Sequence, residues 1–264
     1  MSPDLLFWLA LVAKMAVTAG FVIVATLAAQ RVGPLPGALI ATLPIAAAPA
    51  YVFLAMDHDQ AFIAQSALAS LAINPVTATF ALIYAVLGQR QSLFLSLPAA
   101  LIFWVILAMV VNSIHWNLIG AVAFNVIVFP LCLIVAQQYR HAPMGPVRFR
   151  GKDILARGLM VALLVAAVVA LSFKIGSFAS GLLAVFPIVL SSVIFILHRR
   201  VGGPATAAVL ANAVIGLIGL GIAFAVLHVA ALPLGSALAM TIALAISIGW
   251  GLAVYAMRRI GAPV

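Results

Sequence analysis

The sequence predicts an all-α polytopic membrane protein with nine transmembrane helices, laid out as two inverted four-helix repeats joined by a linking helix. Three observations carry that expectation: an apolar and nearly uncharged composition, runs of membrane-spanning length, and basic residues that alternate from one connection to the next. Of 264 residues, 67% are apolar and 6% charged, against about 45–50% and about 25% in a soluble domain. Mean hydropathy is +1.34. The net charge of +9 would suggest nucleic acid in a soluble chain, but the basic residues cap apolar runs instead of forming a patch, so no nucleic-acid partner is expected. A single cysteine, Cys132, excludes an intramolecular disulfide and a cysteine metal cage.

A bilayer core of about 30 Å needs roughly 20 apolar helical residues. In chain order such runs fall at 5–29, 37–56, 61–88, 92–111, 117–138, 154–173, 179–197, 205–229 and 233–257. The first follows Asp4 directly; without a basic stretch before it, it reads as a retained helix and not as a cleaved signal peptide. Asp57-His58-Asp59 separates the second run from the third, and Arg90 the third from the fourth. After the fifth comes the one long polar stretch, Tyr139 to Asp153, with Arg140, Arg148, Arg150 and Lys152. Lys174, the pair Arg199-Arg200 and the pair Arg258-Arg259 punctuate the remainder. Alternate connections and the C-terminal tail hold 11 of the 13 basic residues, those above other than Lys174 together with Arg31 and Arg157, while the other face holds only Lys174 and Lys14 lies within the first span. The positive-inside rule then puts the N-terminus outside and the C-terminus in the cytoplasm of a bacterial-type inner membrane. The basic loop is expected to touch anionic lipid headgroups, with binding of an acidic partner as the alternative.

A shift of 143 lays Lys14 on Arg157, Arg31 on Lys174, Gly33 on Gly176, Pro44 on Pro187 and Leu54 on Leu197, all in one ungapped register. A shift of 146 brings Trp104 onto Trp250. The units are residues 1–112 and 154–264, with 113–153 as linking helix and loop. Because the linking helix intervenes, equivalent helices run in opposite directions. Within each unit a basic residue opens the first helix, a basic-x-Gly turn follows, and Ala-Leu-Ile-Ala-Thr-Leu-Pro-Ile at 38–45 answers Gly-Leu-Leu-Ala-Val-Phe-Pro-Ile at 181–188. This pattern resembles the GlpM-type small four-helix membrane proteins. The resemblance implies a duplicated, inverted fusion and bears on architecture alone.

The acidic residues are Asp4, Asp57, Asp59 and Asp153, with no glutamate, and all lie in expected loops or helix ends. A carboxylate proton relay at mid-membrane is thereby excluded. Asp57-His58-Asp59 reads as a solvated outer turn, with a metal or proton site at the outer mouth as the sharper alternative. Lys14 either snorkels toward the outer interface, leaving 5–13 as an extension, or faces a cavity; with no intramembrane acid to pair with, the latter favours an anionic ligand. Pro44 and Pro49 interrupt the second helix, Pro187 the seventh and Asn74-Pro75 the third. Each proline frees a carbonyl, and paired interruptions in two halves point to a central binding site. Thr42, Ser191, Ser192, Asn74 and Asn212 cluster around them, with helix packing as the alternative role. Gly216-x-x-Gly219-x-Gly221 lies within an apolar helix and reads as close packing.

No Ser-His-Asp or Cys-His set can be assembled at one membrane depth, so an enzyme is not expected, nor is a cofactor or metal. The expected function is a secondary transporter or facilitator of a small or amphipathic solute, with Thr42, Pro44, Asn74, Ser191, Ser192, Asn212 and Lys14 as candidate substrate contacts. The alternatives are a non-transporting membrane scaffold or envelope assembly factor, and a channel. The partners expected are the bilayer and a small-molecule or ion substrate, and the sequence leaves room for a homo-oligomer.

Overall fold

A computed structural model describes residues 3–31, 46–142 and 150–259 of the chain. Among them there is helix and no strand. The helices are α1 (Pro3–Arg31), α2 (Ala47–Asp57), α3 (Gln60–Leu87), α4 (Leu93–Ser113), α5 (Leu118–Ala136), α6 (Gly151–Ala184), α7 (Ile188–Val201), α8 (Gly203–Leu234) and α9 (Ser236–Arg259). A 3-10 turn, Gln137–Tyr139, follows α5. Caps mark several starts: the Asp59 carboxylate accepts from the Phe62 amide at α3, and Asn117 from Gly120 at α5.

Seven helical stretches among the described residues are long and apolar enough to cross a membrane. Nine spans were expected, and the difference has two sources. The second expected span, 37–56, is described only from residue 46, where α2 contributes 11 residues. The sixth and seventh fall within one apolar stretch, Gly151–Val201. That stretch is not straight. At Gly176 the backbone adopts φ 78°, a conformation that a Cβ disfavours, and the chain turns back on itself. Before the turn, Val169 and Phe173 lie near Lys14, while Gly158 lies against Ala19 and Ile23, so arm 151–175 is antiparallel to α1. After it, Ser66 and Ser70 of α3 bond the carbonyls of Ser177 and Gly181 in the same order, so arm 177–184 is parallel to α3.

α3 and α8 form the centre and share the broadest contact in the molecule. The most apolar window of α3 is 78% buried and that of α8 61%, against 17–22% for α1, α4, α5 and α9. The two central helices are antiparallel: Gln60 lies beside Gly235, Ala64 beside His228, Asn74 beside Leu217 and Gly88 beside Gly203. α5 packs on both, α4 on α3, and α9 on α8. The outer helices turn large apolar side chains outward, with Phe94 79% and Ile119 80% exposed. An exterior of this kind suits lipid and not water. The protein is thus an all-helical membrane protein with multiple apolar helices.

Candidate functional site

Polar groups interrupt this apolar structure at several points, and two assemblies among the described residues involve the expected site residues. The first is at mid-depth. Pro75 lies inside α3, which nevertheless continues without a break. Its missing amide leaves the Leu71 carbonyl, four residues back, without the usual donor. Asn125 of α5 supplies one: its Nδ2 donates to Leu71 O at 2.8 Å and to Ala121 O at 2.8 Å. Its Oδ1 accepts from Asn74 Nδ2 at 3.2 Å, and Asn74 Nδ2 also donates to Leu217 O of α8 at 2.9 Å. Asn74 is fully buried, and its Oδ1 has no hydrogen-bond partner. One amide pair therefore ties α3, α5 and α8 together.

The helical path through 177–201 is broken at 185–187 near the same depth. The Phe186 amide turns back to Leu183 O, the carbonyl Pro187 cannot serve, and the Ile188 amide bonds Phe186 O at 2.7 Å. Pro187 O accepts from the Ser191 amide and from Ser191 Oγ at 2.7 Å. Phe186 sits edge-on to Trp104, ring centroids 5.1 Å apart, and Trp104 Nε1 donates to Thr77 Oγ1 at 3.1 Å. Above the break, Ser70 Oγ donates to Gly181 O, which commits its only proton. Tyr51 OH, 2.7 Å away, is therefore the donor to Ser70.

The second assembly closes the end of the molecule where α2 meets α3. Lys14 Nζ lies 2.6 Å from Asp57 Oδ2 and 5.7 Å from the Phe53 ring centre. The pair borders a cavity of about 110 Å³ lined by Ala10, Leu11, Val169 and Phe173. His58 stacks on Phe62 at 3.7 Å between centroids, and its Nε2 is 2.7 Å from Ser172 Oγ. Ser172 donates its proton to Val169 O, so the imidazole is the donor. Burial beside these rings lowers the His58 pKa, Asp57 and Asp59 pull it up, and Lys14 pushes it down.

The candidate contacts thus divide. Asn74 belongs to the mid-depth cluster. Ser191 and Ser192 follow the break, but their hydroxyls donate to carbonyls of their own segment, Pro187 O and Val189 O. Asn212 bonds Ala208 O and the Arg140 carbonyl, toward the other end. Thr42 and Pro44 lie outside the described residues, as do residues 143–149 of the basic loop. Lys14 corrects one expectation: it has an acid to pair with, because α1 extends beyond the start of α3 and brings its twelfth residue level with Asp57. Asn125 was missed by sequence reasoning, although a lone amide in the apolar run 118–136 was a visible signal. Gly219 lies against the Trp250 indole and Gly221 against Asn74 and Asn125, so that glycine set packs helices.

Comparison with protein-family models, with curated proteins and with solved structures finds no match to this chain.

Proposed function

We propose that the chain is a secondary transporter or facilitator of a small or amphipathic solute, working by alternating access of two inverted units, residues 1–112 and 154–264. One observation carries the reading. α3 and α8 begin at 60 and 203, α4 and α9 at 93 and 236, and the antiparallel α3–α8 pair bonds at Asn74 and Leu217; every spacing is 143. Equivalent helices that run oppositely and meet at equivalent residues are what a two-fold axis in the membrane plane requires. Exchange of conformation between such halves converts outward-open to inward-open. The break at 185–187 supports a ligand site there, since discontinuous helices leave backbone groups free to bind. The pattern also suits a duplicated, inverted fusion of GlpM-like units. Arg200, Arg199, Arg140 and Lys152 at the end away from Lys14 favour a cytoplasmic C-terminus in a bacterial-type inner membrane.

A scaffold or assembly factor is the second reading. It is favoured by the hydroxyls of Ser191 and Ser192, which are satisfied within their own segment. Single cysteines decide between the two. In a Cys132→Ser background, Ser191→Cys should react with an impermeant maleimide from either side of oriented vesicles, with solute shifting the balance between sides. A folded protein unreactive from both sides would sink transport in favour of the scaffold.

A further inference from the structure

At the end opposite Lys14, Arg157 stands one helical turn from Asp153 on the same face of α6. It is 3% exposed, yet its Nε and Nη2 are buried with no hydrogen-bond partner. Arginine does not escape burial by losing its proton, and an unpaired buried cation costs several kcal/mol. The chain has four acidic side chains with which to answer it. Asp57 is taken by Lys14, and Asp59 caps α3 at the far end. Asp4 starts α1, fifteen residues before the Ala19 that packs beside Gly158, so it is about 22 Å away at 1.5 Å per residue. Asp153 is engaged by the Arg200 guanidinium and the Arg150 amide.

The shift of 143 explains the deficit. It carries Lys14 to Arg157 and Asp57 to Arg200, so where one end pairs a cation with an acid, the other sets two arginines. Arg150, Lys152, Arg157 and Arg200 are set around one acidic side chain in the sequence, Asp153, and Arg200 takes it. We propose that Arg157 binds a phosphate-class oxyanion that completes this end of the molecule. A guanidinium presents a planar fork of donors that matches such an oxyanion bidentately. The surplus of positive charge there favours an anionic ligand over a neutral one. The group is either a free phosphate or the phosphodiester of an anionic lipid. This concerns binding, and stands whether or not a solute is carried across.

The test is thermal unfolding of the full chain in phosphatidylcholine nanodiscs, titrated with inorganic phosphate against chloride at equal ionic strength, because a ligand that binds only the folded state raises its melting temperature. A saturable rise is expected for the wild type, absent in Arg157→Gln and weakened several-fold in Arg157→Lys. Should the glutamine variant not fold, the lysine variant decides. With phosphatidylglycerol discs, a rise without phosphate that added phosphate no longer increases identifies the lipid headgroup; a rise only on adding phosphate identifies the free anion. A response to acetate and none to phosphate or phosphatidylglycerol overturns the assignment of class. No Arg157-dependent response to any of these, or an Arg157→Met variant more stable in all of them, overturns the site. The readout is equilibrium binding, so a failure here leaves the transport reading standing, and a lack of flux leaves this site standing.

Discussion

Asn125 donates to the Leu71 carbonyl that Pro75 deprives of its amide, and it holds Asn74 by its other amide atom. In the hydrocarbon region no water replaces such a donor. Interhelical hydrogen bonds in membrane proteins are each worth about 0.6 kcal/mol on average, but a buried carbonyl left unsatisfied adds about 1–3 kcal/mol. The second effect is the larger, so Asn125→Ala should destabilise the protein by about 1–2 kcal/mol, with Asn125→Leu no better, since neither side chain can donate. Reversible unfolding in detergent micelles measures both. An Asn125→Ala variant as stable as the wild type would mean that Leu71 O finds another donor. Lys14 belongs to the same scale. Its type and position are plain in the sequence, whereas its partner lies 43 residues away and becomes visible only when α1 and α2 are docked.

Arm 177–184 is held to α3 by backbone proximity more than by side-chain bulk. A Cβ at Gly181 would overlap the Ser66 carbonyl, while one at Gly249 on α9 would meet nothing within 4 Å. Gly181→Ala should therefore push the arm from α3 and cost about 1–3 kcal/mol, as overpacking does. Gly249→Ala should be neutral or stabilising by about 0.5–1 kcal/mol, because alanine favours helix over glycine. Melting temperatures of the two variants, measured side by side, test this; equal losses would mean that α3 and the arm are not in register as described. At this scale the sequence was informative about breaks. Lys174 and Gly176 mark the reversal, and Pro187 marks the interruption, since φ, a missing amide and charge are local properties. The spans 154–173 and 179–197 read from the sequence fall within one apolar stretch, Gly151–Val201, and what only the structure adds is the partner: the order of the bonds Ser66–Ser177 and Ser70–Gly181 shows the returning arm lying parallel to α3.

For the whole molecule, the end bearing Gly88, Gly203, Asp153 and Arg200 also bears most of the basic residues, while Lys14 and Lys174 belong to the end bearing Asp57. Reporter fusions at Gly145 and at the C-terminus should both read as cytoplasmic, and one at Asp57 as external. A C-terminal fusion that reads as external would overturn both the orientation and the inverted arrangement of units. The sequence by itself determined that the chain is helical and belongs in lipid, where most of the helices begin and end, and which connections share a charge. Those follow from composition and periodicity, because helix formation and transfer into hydrocarbon depend on short stretches of chain. The tertiary structure decided that α3 and α8 form the core, that Asn125 answers Pro75, that Lys14 has its acid, and that Arg157 has none among the described residues. These are pairings across as many as 164 residues. A buried amide, carbonyl or guanidinium is satisfied by whatever the packing brings within about 3 Å, and no local pattern in the chain specifies that neighbour.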